Sequence, residues 1–282
     1  MTLQHHYAPQ PGEQLYHYTS TAGALAILES RTLWLSDYRR MNDLNEFLYA
    51  KRRFLDAVWD RSIEVEDPVR GLAGLTVLRL ERAQLMLIGC LTAQRDAAHQ
   101  WSRYADNGQG CVVGVDAEFL AKDAGVAIRT VSYDAHYLWR FVRMGLLMLQ
   151  HEYQQKPDDY GELITLANFF AADMFAFKEK SFESEKEVRI SRMIRKDPSA
   201  TLGYADVGGH DRNKRPLSAL ALGSRTTASG ACIYLPLPLI QGLARGIRSI
   251  GFGPRCTTET RRRVEAIVKD AMPEVALWQA IG

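Results

Sequence analysis

The chain has 282 residues, 46% of them hydrophobic and 24% charged, a composition that builds a sizeable core and excludes a disordered or fibrous polymer. Lysine and arginine number 35 against 33 acidic residues, so a net charge of +2 supplies no whole-molecule field for gripping nucleic acid or an anionic membrane. Cys90, Cys111, Cys232 and Cys256 contain no C-x-x-C pair, which argues against a zinc ribbon or a thioredoxin-type motif and for buried free thiols. The first residues lack a basic-then-apolar leader, and no run of about 18 apolar residues occurs, so a cytoplasmic protein that stays off the membrane is expected.

The first element expected is a strand over Leu15-Tyr16-His17-Tyr18-Thr19-Ser20, followed by a helix with Ala22, Leu25 and Leu28 on one face. A ring nitrogen, a phenol and a hydroxyl thus stand at a strand end beside a helix start, where they can serve a small ligand. The same residues also read as ordinary strand aromatics with a hydrogen-bonded histidine. A second strand follows at Thr32–Ser36. Asn42 or Asp43 is placed to cap a helix carrying Leu44, Phe47, Leu48 and Phe54.

Another helix is expected from Pro68 toward Gln84, and the apolar run Leu85–Thr92 reads as a strand buried on both faces. Asp96 is placed to cap a short helix, Ala97–Ala105, with Trp101 and Tyr104 on a shared face. A turn over Asp106–Gly110 leads into a strand at Cys111–Asp116, and a further strand is expected over Val126–Tyr133. Residues 134–180 read as a helical insertion in two segments, broken near Pro157-Asp158-Asp159. The stripe Leu163, Leu166, Phe170, Met174 and Phe177 reads as core. If Glu185–Ile190 is a strand, Glu185 and Glu187 face the same way, and two carboxylates so placed need compensation. Ser199–Gly230 reads as an irregular insertion or mobile loop. Strands at Ala231–Leu237 and Ile247–Gly253, a helix over Thr257–Met272 and a last strand at Val275–Trp278 complete the chain.

No phosphate-cradling glycine loop, nucleophile elbow or H-E-x-x-H helix is present, and nothing requires a metal. What remains is an ordered set of motifs. The runs Leu15–Ser20, Met41-Asn42-Asp43-x-x-Glu46, Trp101-x-x-Tyr104-Ala105-Asp106-x-Gly108-x-Gly110 and Glu185-x-Glu187-x-Arg189-Ile190, with Gly251-x-Gly253-Pro254, resemble a bacterial family known only as domain of unknown function 2971. A looser resemblance, in the order of an early His-x-Thr, a mid-chain aromatic and a late E-x-E, is to the ADP-ribosyltransferase superfamily, which cleaves NAD at its nicotinamide bond.

That second resemblance implies an α+β fold with a split mixed or antiparallel sheet core; the chain is expected to form one domain over residues 1–282, its 134–180 helical insertion being unusual for that superfamily. It implies NAD as substrate, with His17 and Thr19, flanking Tyr18, on the adenosine side. Tyr104, or else Trp101, stacks on the nicotinamide. Glu187 holds the ribose, and Glu185 faces a macromolecular acceptor, protein or nucleic acid. By analogy it implies a toxin or anti-phage effector with an antitoxin-like partner. The serine-threonine-serine run of that superfamily is missing, Leu91-Thr92 being its loose counterpart. Two other readings stand beside this one. Glu185 and Glu187 form a surface salt-bridge ladder with Lys178, Lys180, Lys186 and Arg189, or the chain is a non-catalytic module that binds a nucleotide or a protein.

Overall fold

The computed structural model of the protein describes residues 6–40, 44–228 and 230–281. Ten strands of four residues or more are β1 (Gln14–Thr19), β2 (Thr32–Asp37), β3 (Gln84–Thr92), β4 (Cys111–Asp116), β5 (Ala127–Thr130), β6 (Glu187–Lys196), β7 (Gly223–Thr227), β8 (Gly230–Pro238), β9 (Ile247–Phe252) and β10 (Ala276–Gln279). They join in a mixed sheet whose main path runs β7-β8-β2-β3-β1-β4-β9-β10, with β6 on the other edge of β3 and β5 beyond it. Neighbours are antiparallel except β9 and β10. A parallel pair needs a crossover, and a helix, Thr258–Ala271, supplies it.

The sheet forks at β3. Along one edge β3 pairs with β6 over its full length, from Gln84 opposite Arg195 to Thr92 opposite Glu187. On the other edge β2 pairs at Leu87 and Ile88, and β1 meets β3 only where Tyr16 lies opposite Thr92. Among the described residues, Gly89–Leu91 therefore have no strand on that side. The apolar run of β3 is buried on both faces, Leu85, Leu87 and Leu91 in the main core and Met86 and Ile88 against Tyr38.

Helix α1 (Thr21–Ser30) begins where Ser20 Oγ accepts the Gly23 N–H at 3.0 Å, and it packs Leu25 and Leu28 into the main core with Leu15, Leu35, Val113 and Ile250. Two helices before β3, α2 (Leu44–Val58) and α3 (Asp67–Ala83), join two after it, α6 (Ala135–Gln155) and α7 (Tyr160–Ala172). Between α3 and α6 lie two short helices, α4 (Ala98–Tyr104) and α5 (Ala117–Lys122), and the C-terminal crossover is α8. The helical stretch at 134–180 packs against the earlier helices. Its Phe141, Leu146, Leu163 and Phe170 share one apolar cluster with Phe54, Val58 and Val77 of α2 and α3. The break at Pro157 stands, with Asp159 accepting the Glu162 N–H to start α7.

Three expectations change. Asp96 does not cap α4; its carboxylate accepts the Trp101 indole N–H at 2.6 Å and the Ile281 N–H at 3.0 Å, tying the helix to the chain's far end. Part of the supposed loop after Ser199 is β7, an edge strand, because its register with β8 satisfies the backbone groups. Two of the cysteines, Cys90 and Cys256, are only half-buried, though all four are free. Asn42 and Asp43 lie outside the described residues.

Candidate functional site

The end of β3 gathers the polar residues singled out from the sequence. His17 stands in the fork, and its Nδ1 lies 2.9 Å from the carbonyl oxygen of Cys90, one of the groups left without a strand partner. A carbonyl only accepts, so Nδ1 carries the proton and Nε2 keeps its lone pair. Burial lowers the pKa of His17, with the bond to Cys90 opposing, and the ring is neutral at pH 7. Thr19, the last residue of β1, packs its hydroxyl beside Gly23 at the start of α1.

Across β3, Glu187 opens β6. It is 4% exposed, and its carboxylate accepts from Arg189 Nε at 2.7 Å, Arg189 Nη2 at 3.0 Å and Lys178 Nζ at 3.2 Å. The Cys90 thiol also lies close enough to Glu187 to feel its charge. Burial raises the pKa of Glu187 while Lys178 opposes, and burial together with Glu187 holds the Cys90 thiol well above its ordinary value. Glu185 is not on the strand, contrary to the alternation expected. It ends a 3-10 turn, Lys180–Glu185, and Lys186 then takes a left-handed conformation (φ 43°) that swings the chain into β6.

Both carboxylates nevertheless meet at one ammonium. Lys178 Nζ donates to Glu185 at 2.6 Å as well as to Glu187. Burial alone would lower the pKa of this lysine, but Glu187 and Glu185 prevail and raise it. Tyr104, on α4, donates its hydroxyl to Glu185 at 2.6 Å, and burial with that carboxylate raises the phenol's pKa. Arg103 reaches the same carboxylate at 3.3 Å from the half-exposed rim. The Gln100 amide donates to the Glu185 backbone carbonyl at 3.0 Å, and Thr92 Oγ1 donates to the Lys186 carbonyl at 3.2 Å.

His17, Tyr104, Glu185 and Glu187 are thus linked by a continuous chain of contacts through Cys90 and Lys178. They do not share an open cleft, since Glu185 and Glu187 are both buried. The ion pairs proposed for these acids exist with Lys178 and Arg189, but as a buried cluster in place of a surface ladder. Lys186 pairs instead with Glu183, at 3.8 Å.

Two of the candidate residues serve the core. Tyr18 and Trp101 meet edge to face at 4.8 Å, and each is at most 6% exposed. The Tyr18 hydroxyl accepts the Ala97 N–H and donates to the Gln94 carbonyl. Trp101 also packs edge to face against Trp278, so as it stands no face of its indole is open to a ligand. Tyr104, half-buried, keeps part of its ring accessible. Cys90, Gln100 and Tyr133, whose hydroxyl accepts the Glu187 N–H at 3.0 Å, were not singled out beforehand. A thiol in an apolar run carries no sequence mark of the acid across the strand.

Residues 100–190 match the family model described as protein of unknown function, DUF2971. The matched stretch holds Tyr104, Lys178, Glu185, Glu187 and Arg189 together, with the helices between them, while His17 and Gly251–Pro254 lie outside it. No curated protein and no solved structure matches the chain. Among the described residues, no helix is long and apolar enough to cross a membrane.

Proposed function

We propose that the chain is an NAD-consuming transferase of the ADP-ribosyl type, with Glu187 and Glu185 as its acids and a macromolecule as acceptor. The observation that carries this reading is convergence: an imidazole from β1, a phenol from α4 and a glutamate from β6 come to one end of β3 although 170 residues separate the first from the last.

The chemistry follows from the residue types. Breaking the bond between ribose C1′ and the nicotinamide nitrogen sends its electron pair to the ring, which leaves neutral, and positive charge grows on the ribose. A carboxylate on the ribose hydroxyl, Glu187, stabilises that charge more in the transition state than in the ground state. The acceptor's nucleophile then bonds C1′, and Glu185 takes its proton. The accessible part of Tyr104 offers an aromatic face to the cationic ring. By analogy such an enzyme would be a toxin or anti-phage effector, restrained by an antitoxin-like partner.

A second reading is favoured by the burial of both acids in a charge-balanced cluster. In it the region is a non-catalytic module that binds a nucleotide or a protein. Purified protein given NAD labelled in the nicotinamide separates the two. The transferase releases label, and Glu187→Gln lowers the release at least 100-fold, on the order expected for an electrostatic catalytic group. Binding without release, by both proteins and with protein, RNA and DNA acceptors, would leave the module.

A further inference from the structure

The two acids beside β6 already hold a cation. Lys178 Nζ sits 2.6 Å from Glu185 and 3.2 Å from Glu187, and 4.7 Å from the centre of the Phe182 ring. Arg103 also rests on Phe182, at 5.1 Å. Two carboxylates and an aromatic face around one ammonium are the surroundings that recognise an organic cation. The cation is built into the chain on a short tether. Lys178 and Glu185 are buried, whereas Lys180, Ser181, Glu183 and Ser184 between them lie at the surface. Their ion pair closes a loop of six intervening residues, and the left-handed Lys186 is the corner on which that loop joins β6.

We propose that this cage is a binding site for a compact organic cation, an alkylammonium or N-alkylpyridinium group, which Lys178 occupies from within until the surface loop swings it out. The charge balance sets the rule of exchange. Within the buried cluster Lys178 and Arg189 offset Glu185 and Glu187, Arg103 reaching Glu185 only from the exposed rim. Withdrawing the lysine alone therefore strands a buried negative charge, and the loop opens only as another cation enters. The natural ligand rests on the transferase reading, because the nicotinamide ring of NAD is such a cation. The cage itself does not.

The test is chemical rescue in the full chain. Lys178→Ala removes three methylenes and the ammonium, the shape of n-propylammonium. The variant should melt about 5–10 °C below the wild type, as for a broken buried ion pair. Propylammonium should recover at least half of that shift, with no effect on the wild type and none from sodium chloride at equal ionic strength. 1-Methylnicotinamide should bind Lys178→Ala at least tenfold more tightly than the wild type, and Glu187→Gln in the same background should abolish both effects. If Lys178→Ala does not fold alone, its refolded yield with propylammonium against sodium chloride reads the same property. Equal responses to the two salts, in melting or in yield, overturn the cage. Rescue with no nicotinamide release from NAD keeps the cage and removes the transferase.

Discussion

Arg189 closes on Glu187 through two guanidinium nitrogens, at 2.7 and 3.0 Å, although the two residues are next but one on the same strand. Side chains two apart share a face of a strand, and the fork-like geometry of the guanidinium does the rest. Its remaining nitrogen, Nη1, donates to the Phe175 carbonyl at 2.7 Å, so Arg189 also joins β6 to the end of the helical layer.

Arg189→Met should therefore lower unfolding stability by about 3–5 kcal/mol, because it leaves Glu187 buried with part of its compensation gone. The double variant with Glu187→Gln should lose at least about 1 kcal/mol less than the sum of the single losses. Urea unfolding of the four proteins reads the difference. Additive losses would mean that the pair is not coupled.

His17 gives the stability a pH dependence of known sign. Its pKa is lowered in the folded state, so below about pH 6.5 the unfolded chain binds the extra proton first. The stability tied to a neutral His17 is complete above that pH and declines as pH falls toward the folded-state value. His17→Asn keeps a donor for the Cys90 carbonyl and cannot titrate. Its unfolding free energy should fall less than the wild type's between pH 7 and pH 5, measured by urea titration at each pH, and parallel curves would contradict the assignment.

The start of β4 has no room for a side chain. A Cβ on Gly110 would stand 2.2 Å from the Thr19 carbonyl oxygen, a backbone atom that cannot step aside. Gly110→Ala should cost about 1–3 kcal/mol or more and disturb the end of β1 where Thr19 sits. Gly71, inside α3, has open space around its Cβ position, and Gly71→Ala should stabilise by roughly 0.5–1 kcal/mol. Thermal melts of the two variants should move in opposite directions.

Tyr104 can be divided into ring and hydroxyl. Tyr104→Phe removes the donor to Glu185 and keeps the aromatic face, while Tyr104→Ala removes both. If the ring stacks on nicotinamide, calorimetric NAD affinity falls about tenfold or more for the alanine variant and less than threefold for phenylalanine, in line with a cation–π contribution of about 1–2 kcal/mol. Equal losses would assign the residue to Glu185 alone. Trp101→Phe should act on stability, by the lost bond to Asp96.

The sequence by itself determined the local grammar. Apolar runs and alternation gave β3, β4 and β9, the Pro157 break divided α6 from α7, and the stripe from Leu163 to Phe177 marked a buried face. These signals rest on period and on backbone preference, which neighbours in the chain settle. The same reasoning set four cations, Lys178, Lys180, Lys186 and Arg189, around the two acids, of which Lys178 and Arg189 pair with them. Only the tertiary structure decided that Glu185 leaves the strand, that Trp101 is walled in by Tyr18 and Trp278, and that α2 and α3 share a core with α6 and α7. It also decided that His17 fills the fork beside Cys90. The physical reason is sequence separation: a carbonyl orphaned by diverging strands, or a carboxylate removed from water, is compensated by residues far along the chain, and no local pattern records which ones.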